Sequence, residues 1–211
     1  MNPRALSRQR TNTARRSRKA AQSALTREAI LSSCLRLFAS RGFASTSIDM
    51  IASAAGITKG AVYWHFDSKD ALFAAILERI RTRWQDAVMK PVSADVPVTA
   101  RLQQLFAGYA ALFTEDPEIC LFMQRVLLEG DDKYSPKIAR VFKQTVNFIA
   151  GVLREGQARG EIRTDVNNAH VAHSILGGIA GATQQHLVNP ALTLAGLLDE
   201  AKKMTLARVV T

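Results

Sequence analysis

The chain has 211 residues, 47% hydrophobic and 22% charged, with a formal net charge of +10. That length buries a substantial core in one domain or two. No apolar run is long enough to cross a membrane and no apolar signal-peptide core follows the basic N-terminus, so a cytoplasmic protein is expected. Cys34 and Cys120 are too few and too isolated for a disulfide framework or a zinc site, and read as buried thiols.

The positive charge is concentrated at one end. Residues 1–27 hold Arg4, Arg8, Arg10, Arg15, Arg16, Arg18, Lys19 and Arg27 and no acid, which leaves twenty basic and eighteen acidic residues in the rest of the chain. One-sided charge of this kind points to a polyanionic partner. Residues 1–23 show almost no apolar periodicity, and a disordered arm is expected there. It either adds phosphate contacts or reaches into a minor groove, or it is a solvated tail that raises nonspecific affinity. Residues 26–40 then predict a first helix, with Ile30, Leu31, Cys34, Leu35, Leu37 and Phe38 recurring at three and four. Gly42 ends it.

Residues 46–66, TSIDMIASAAGITKGAVYWHF, predict two short helices joined by a tight turn. Ser47 suits an N-cap, because its hydroxyl accepts a hydrogen bond from a free N–H of the first turn. Ile48, Ile51, Ala52 and Ala55 form the apolar side, and Gly56 suits a left-handed helix end. Ile57 is expected as a buried anchor. Thr58 caps a second helix over 59–66, with Val62 and Phe66 inward and Lys59, Ala61, Tyr63, Trp64 and His65 outward. Two helices around a glycine turn make a helix-turn-helix, and the outward set is unusual for a free surface. Tyr63 and Lys69 read as phosphate contacts, with Thr46, Ser47, Thr58 and His65 beside them, while Lys59, Gly60, Ala61 and Trp64 face bases.

Phe38, Arg41-Gly42-Phe43, Thr46, Ile51-Ala52, Ala55-Gly56-Ile57, Lys59-Gly60, Tyr63-Trp64-His65-Phe66 and Ser68-Lys69 together resemble the N-terminal motif of the tetracycline-repressor (TetR) family. The likeness spans about residues 26–80. It implies a dimeric, all-helical transcription regulator, usually a repressor released by a small ligand.

Ser68 opens a helix over 69–89, whose N-terminus favours a phosphate through its free N–H groups and dipole. The resemblance implies that movement of this connecting helix carries the ligand signal. Residues 90–97, KPVSADVP, predict a linker between domains. The expected organisation is thus an arm over 1–23, a DNA-binding domain over 24–68, a connecting helix over 69–89 and a C-terminal helical domain over 98–211. Helices are predicted over 98–113, from Pro117 to near Gly130, over 138–157, 167–188 and 192–209, with an acidic loop at Asp131-Asp132. Phe106, Tyr109, Phe113, Phe122, Met123, Phe142 and Phe148 are either core or the lining of a pocket. The resemblance favours a pocket for a small apolar or aromatic effector. Gly177, Gly178 and Gly181 lie inside a helix, where each glycine costs about 1 kcal/mol against alanine. With Leu194, Leu197 and Leu198 they suggest a helical interface between two subunits, a two-fold pair that would suit a palindromic operator.

Other classes fare worse. His170 and His173 stand three apart, but no carboxylate is suitably spaced for a metal, and neither a nucleophile motif nor a phosphate loop is present. Neither a cofactor nor an enzymatic activity is expected. A sequence-nonspecific architectural DNA-binding protein remains the alternative, and a helical enzyme a more distant one.

Overall fold

The structure, a computed structural model, describes residues 3–129 and 135–210, and the side chains of 15–126 and 136–210. Gly130 and the Asp131-Asp132 loop therefore lie outside the described residues. The chain is built of α-helices: α1 Pro3–Arg41, α2 Ile48–Ala55, α3 Lys59–His65, α4 Lys69–Trp84, α5 Val98–Glu115, α6 Pro117–Glu129, α7 Ser135–Ala158, α8 Asn168–Val188 and α9 Leu194–Val209. It forms two compact units, one through Ile76 and one from Leu77 onward.

The division falls within α4, not at the proline-containing 90–97 segment. The reason is the apolar face of the first turns of α4. Leu72, Phe73 and Ile76 are fully buried, and Phe73 meets Phe38 and Phe43 at ring-centroid distances of 6.2 and 5.4 Å. These contacts make the start of α4 part of the first core, together with Ile30, Cys34, Ile51, Val62 and Phe66.

Helix α1 begins at Pro3, where the sequence predicts a disordered arm and a helix only from residue 26. Residues 4–41 contain no proline or glycine, and arginine, alanine, glutamine and lysine all favour helix. The early turns are helical by propensity and not by burial: residues 15–22 are all exposed, and the core begins at Ile30.

In the second unit, α4 passes into a π-helical turn, Gln85–Met89, closed by the Lys90 N–H on the Gln85 carbonyl at 2.8 Å. Helix α5 lies backbone-close to this turn at Gly108. A Cβ there would stand 2.5 Å from the Ala87 carbonyl oxygen, so only glycine fits. The approach sets Trp84 beside Tyr109, and the indole N–H donates to the Tyr109 hydroxyl at 2.9 Å. Leu102, Leu105, Phe106, Leu112, Ile119, Phe122, Ile149, Leu153, Ile175 and Ile179 form the bulk of this core.

Candidate nucleic-acid interface and interior cavity

The helix-turn-helix is held by caps at each end of its helices. The Ser47 hydroxyl accepts the Met50 N–H at 3.2 Å. Gly56 has φ 67°, a left-handed conformation that other residues rarely adopt. Its N–H reaches the Ser53 carbonyl at 3.1 Å, and that of Ile57 reaches Ala52 at 3.0 Å. This paired pattern closes the carbonyl end of α2. Thr58 accepts the Ala61 N–H at 3.2 Å to begin α3. Ile57 itself is half-buried and not the fully buried anchor expected. Its place at the turn leaves one flank of its side chain to solvent.

Helix α3 buries Val62 completely and Phe66 nearly so. Its other side presents Tyr63 at 46% exposure and Trp64 at 71%. Lys59, Gly60 and Thr58 are exposed, whereas Ala61 and His65 are half-buried. The His65 ring stands edge-on to Trp64, centroids 4.6 Å apart. Lys59 is already paired: its ammonium lies 2.8 Å from Asp49 of α2, both groups well exposed. This hydrogen bond raises the Lys59 pKa above its ordinary value, so the side chain stays cationic at neutral pH.

Two residues read from the sequence as phosphate contacts are occupied inside the protein. Thr46 is 1% exposed, and its hydroxyl donates to the Gly42 carbonyl at 2.8 Å. The chain turns inward there to enter α2, so Thr46 is a buried brace and not a surface contact. Lys69 donates to the carbonyls of Phe43 at 2.6 Å, Thr46 at 2.9 Å and Ala44 at 3.4 Å, and its ammonium lies 4.1 Å from the centre of the Phe43 ring. An ammonium has three donors, and here all three point at the 43–46 loop. Lys69 ties α4 to the loop that precedes α2. The sequence offers its charge to a phosphate, but does not reveal that three carbonyls converge on it.

The second unit holds a partly open cavity of about 100 Å³. Tyr109, Phe113, Met123 and Phe142 line it, as the aromatic and methionine set suggests. Phe106, Phe122 and Phe148 do not. Phe106 and Phe122 are buried core, and Phe148 stacks edge-on against Trp84 at 5.8 Å. Sequence reasoning misses Trp84, Ile80 and Gln124, which also form the wall. Ile80 and Trp84 stand one turn apart on α4, in register with Phe73 and Ile76, and that spacing is the signal that would have found them. Gln124 is a polar residue directly after Phe122-Met123.

The cavity carries no carboxylate, ammonium or guanidinium. Its polar wall is largely self-satisfied: Gln124 donates to the Ala180 carbonyl at 2.9 Å, Thr183 to Ile179 at 2.8 Å and Thr145 to Val141 at 3.1 Å. The Tyr109 oxygen accepts from Trp84, so its own O–H stays available as a donor. Burial pushes the Tyr109 phenol well above its usual range, and pushes Cys120 up to about 11 against a partial offset from its hydrogen bond with Thr183. Both are neutral at physiological pH.

On α8 and α9 the proposed interface residues divide. Leu198 is 2% exposed and belongs to the core of its own chain. A Cβ on Gly178 would stand 3.7 Å from the Ala201 methyl, an ordinary contact, so this position of α8 faces α9. Both fall on the α8 and α9 sides that face each other, which periodicity alone does not separate from the outer sides. At Gly177 and Gly181 an added Cβ would meet nothing within 4 Å. Leu194 and Leu197 are half-buried, and Leu187, Val188 and Met204 are exposed.

A capped helix pair that presents one polar and aromatic helix face defines a helix-turn-helix DNA-binding protein. Residues 30–76 match the model for bacterial regulatory proteins of the tetR family, and residues 98–200 match the tetracyclin repressor-like C-terminal domain. The chain is 30% identical to the HTH-type transcriptional repressor DhaR of Mycobacterium sp. (strain GP1), over 70% of this chain and 75% of that one. It is 28% identical to the HTH-type transcriptional repressor BepR of Brucella suis biovar 1 (strain 1330), over 81% and 84%. The structure of SmeT, the repressor of the Stenotrophomonas maltophilia multidrug efflux pump SmeDEF, superposes with a TM-score of 0.71 at 26% identity, covering 88% of this chain and 90% of that one. The complex of SmeT with triclosan gives 0.74. The chain belongs to the tetR family and is a DNA-binding transcriptional regulator. No described helix is long and apolar enough to cross a membrane.

Proposed function

We propose that the protein is a dimeric repressor that reads a palindromic operator through α3 and leaves it when an uncharged, apolar or aromatic compound fills the cavity. The observation that carries the first part is the exposed Tyr63 and Trp64 face of α3, backed by the buried Val62 and Phe66. In this reading Tyr63 holds a phosphate, and Lys59, Gly60, Ala61 and Trp64 face bases. Ser47, Thr58 and His65 lie beside the backbone, and Lys69 acts by positioning the loop. The pairing surface is the outer side of α8 and α9, with Gly177, Gly181, Leu187, Val188 and Met204, and with Leu194 and Leu197 at its edge.

The effector's class follows from the wall. A charged ligand would lose its hydration and find no counter-charge, a penalty of several kcal/mol. A neutral aromatic compound would find Phe113, Phe142, Met123 and Trp84, with the Tyr109 hydroxyl to donate one hydrogen bond. The related SmeT forms a complex with triclosan. Selection of sites from random duplex DNA at physiological salt tests the reading. A palindromic motif, released by neutral aromatics and not by charged analogues, supports it. Strong binding with no preferred sequence overturns it.

A further inference from the structure

Helix α1 contributes to the core only from Ile30 onward. Its first six turns carry most of the chain's excess charge, yet residues 15–22 touch no core. Arg15, Arg16, Arg18 and Lys19 are all exposed. Arg15, Arg18 and Lys19 stand three and four apart, on one side of a helix. Arg4, Arg8 and Arg10 add further positive charge to the same helix. Like charges so placed repel and destabilise an isolated helix. No acid occurs before Glu28 to relieve them, so the arrangement gains most from an external polyanion.

The origin of this stretch is fixed. The Arg27 guanidinium lies 5.0 Å from the centre of the Phe66 ring, and Phe66 is the residue that ends α3. The charged turns of α1 therefore depart from beside the end of the recognition helix. At a rise of about 1.5 Å per residue they extend roughly 36 Å from Arg27 back to Pro3, comparable with about ten base steps of duplex.

We infer that the N-terminal half of α1 is a second DNA-contacting element, a basic helical strut that lies along the phosphates of duplex flanking the site read by α3. This rests on the DNA-binding reading of α3, but it fails separately. It differs from a flexible arm in needing the helix as well as the charge.

The test compares two full-length variants with the wild type on the selected operator, bare or extended by about ten base pairs on each side. One variant carries Arg15→Gln, Arg16→Gln, Arg18→Gln and Lys19→Gln, which removes charge and keeps helix propensity. The other, Ala21→Pro, keeps every charge and breaks the helix. Wild-type affinity should rise at least tenfold with duplex flanks, and both variants should lose that gain. The glutamine variant should also flatten log K against log salt by about 0.9 for each phosphate it no longer neutralises. Wild-type protein indifferent to flanks overturns the proposal, and so does an Ala21→Pro variant that retains the full gain. An equal gain from single-stranded flanks would rule out duplex as the partner. Sequence preference on the bare operator reports on α3 alone, so its loss or survival is read independently of the strut.

Discussion

The two units of this molecule are built on opposite rules. In the first, short helices are fixed by polar groups at defined positions: Ser47 and Thr58 at helix starts, Gly56 at a helix end, Thr46 on Gly42, and Lys69 on the carbonyls of Phe43, Ala44 and Thr46. In the second, long helices pack through apolar faces and leave a void lined by Trp84, Tyr109, Phe113 and Phe142. Helices α2 and α3 are too short to be stable alone. Each is ordered by its caps and by the core beneath it, so α3 presents its outer face in one register. The second unit trades some packing for space. Reading a base sequence requires groups held in place, whereas admitting a ligand requires room.

The sharpest way to break this contrast is at the first core. Phe73→Ala removes a fully buried ring that meets both Phe38 and Phe43. A loss of about 3–5 kcal/mol is expected, with DNA binding abolished. Chemical denaturation followed by Trp64 and Trp84 fluorescence checks it. A loss below about 1 kcal/mol would mean that the polar ties, not the core, hold the unit.

Lys69→Met asks whether those ties matter. Its stem can still pack, but three carbonyls lose their shared donor. Hydrogen bonds to a charged group contribute about 1.5–3 kcal/mol, and a destabilisation of about 2 kcal/mol is expected. DNA affinity should fall because the 43–46 loop loosens. If stability were instead unchanged and the salt slope fell by about 0.9, Lys69 would be a phosphate contact after all.

That question also marks where sequence stops informing. Caps are local: Ser47 with Met50, Gly56 with Ser53 and Thr58 with Ala61 are three residues apart, and each is legible from spacing. The inward Val62 and Phe66, and the outward Tyr63 and Trp64, follow from helical period. Lys69 and the Phe43 carbonyl are 26 residues apart, and periodicity says nothing about which carbonyls converge on an ammonium. Thr46 looks like a surface threonine in sequence for the same reason. In the second unit, composition marks aromatics as core or cavity without dividing them. Phe122 and Met123 are neighbours in sequence, yet only Met123 reaches the void, because adjacent residues on a helix point about 100° apart.

A matched pair of enlargements sharpens the contrast further. Ala52 is buried where α2 turns toward α3, and its carbonyl accepts the Ile57 N–H. Ala52→Leu should overpack that contact and cost about 1–3 kcal/mol. Ala180→Leu adds the same atoms beside the cavity, where they have space, and should change stability by less than about 1 kcal/mol. It should also abolish the response of DNA binding to any cavity ligand while leaving operator affinity intact. Thermal melts of the two variants, with and without a neutral aromatic compound, provide the comparison. Equal destabilisation by both would show that the void does not act as room for a side chain.

The smallest expected change in stability falls on the residue with the most to say about recognition. Lys59 and Asp49 form an exposed pair, 2.8 Å apart, with side chains 52% and 67% accessible. Such exposed pairs add little to stability, so Lys59→Ala should melt almost with the wild type. Its effect on DNA should be larger and local. A lysine facing a base edge accounts for about 1–3 kcal/mol of discrimination at one position, and the variant should lose preference there while keeping it elsewhere in the site. Asp49→Asn separates the two roles, because it frees Lys59 without removing it. If Asp49 only restrains Lys59, that variant should bind the operator at least as tightly as the wild type and keep the same preferred base. If the pair instead sets the angle between α2 and α3, both variants should weaken binding across all positions together. Site selection with Lys59→Ala and Asp49→Asn side by side therefore tells whether the outward face of α3 reads bases or is only held in place.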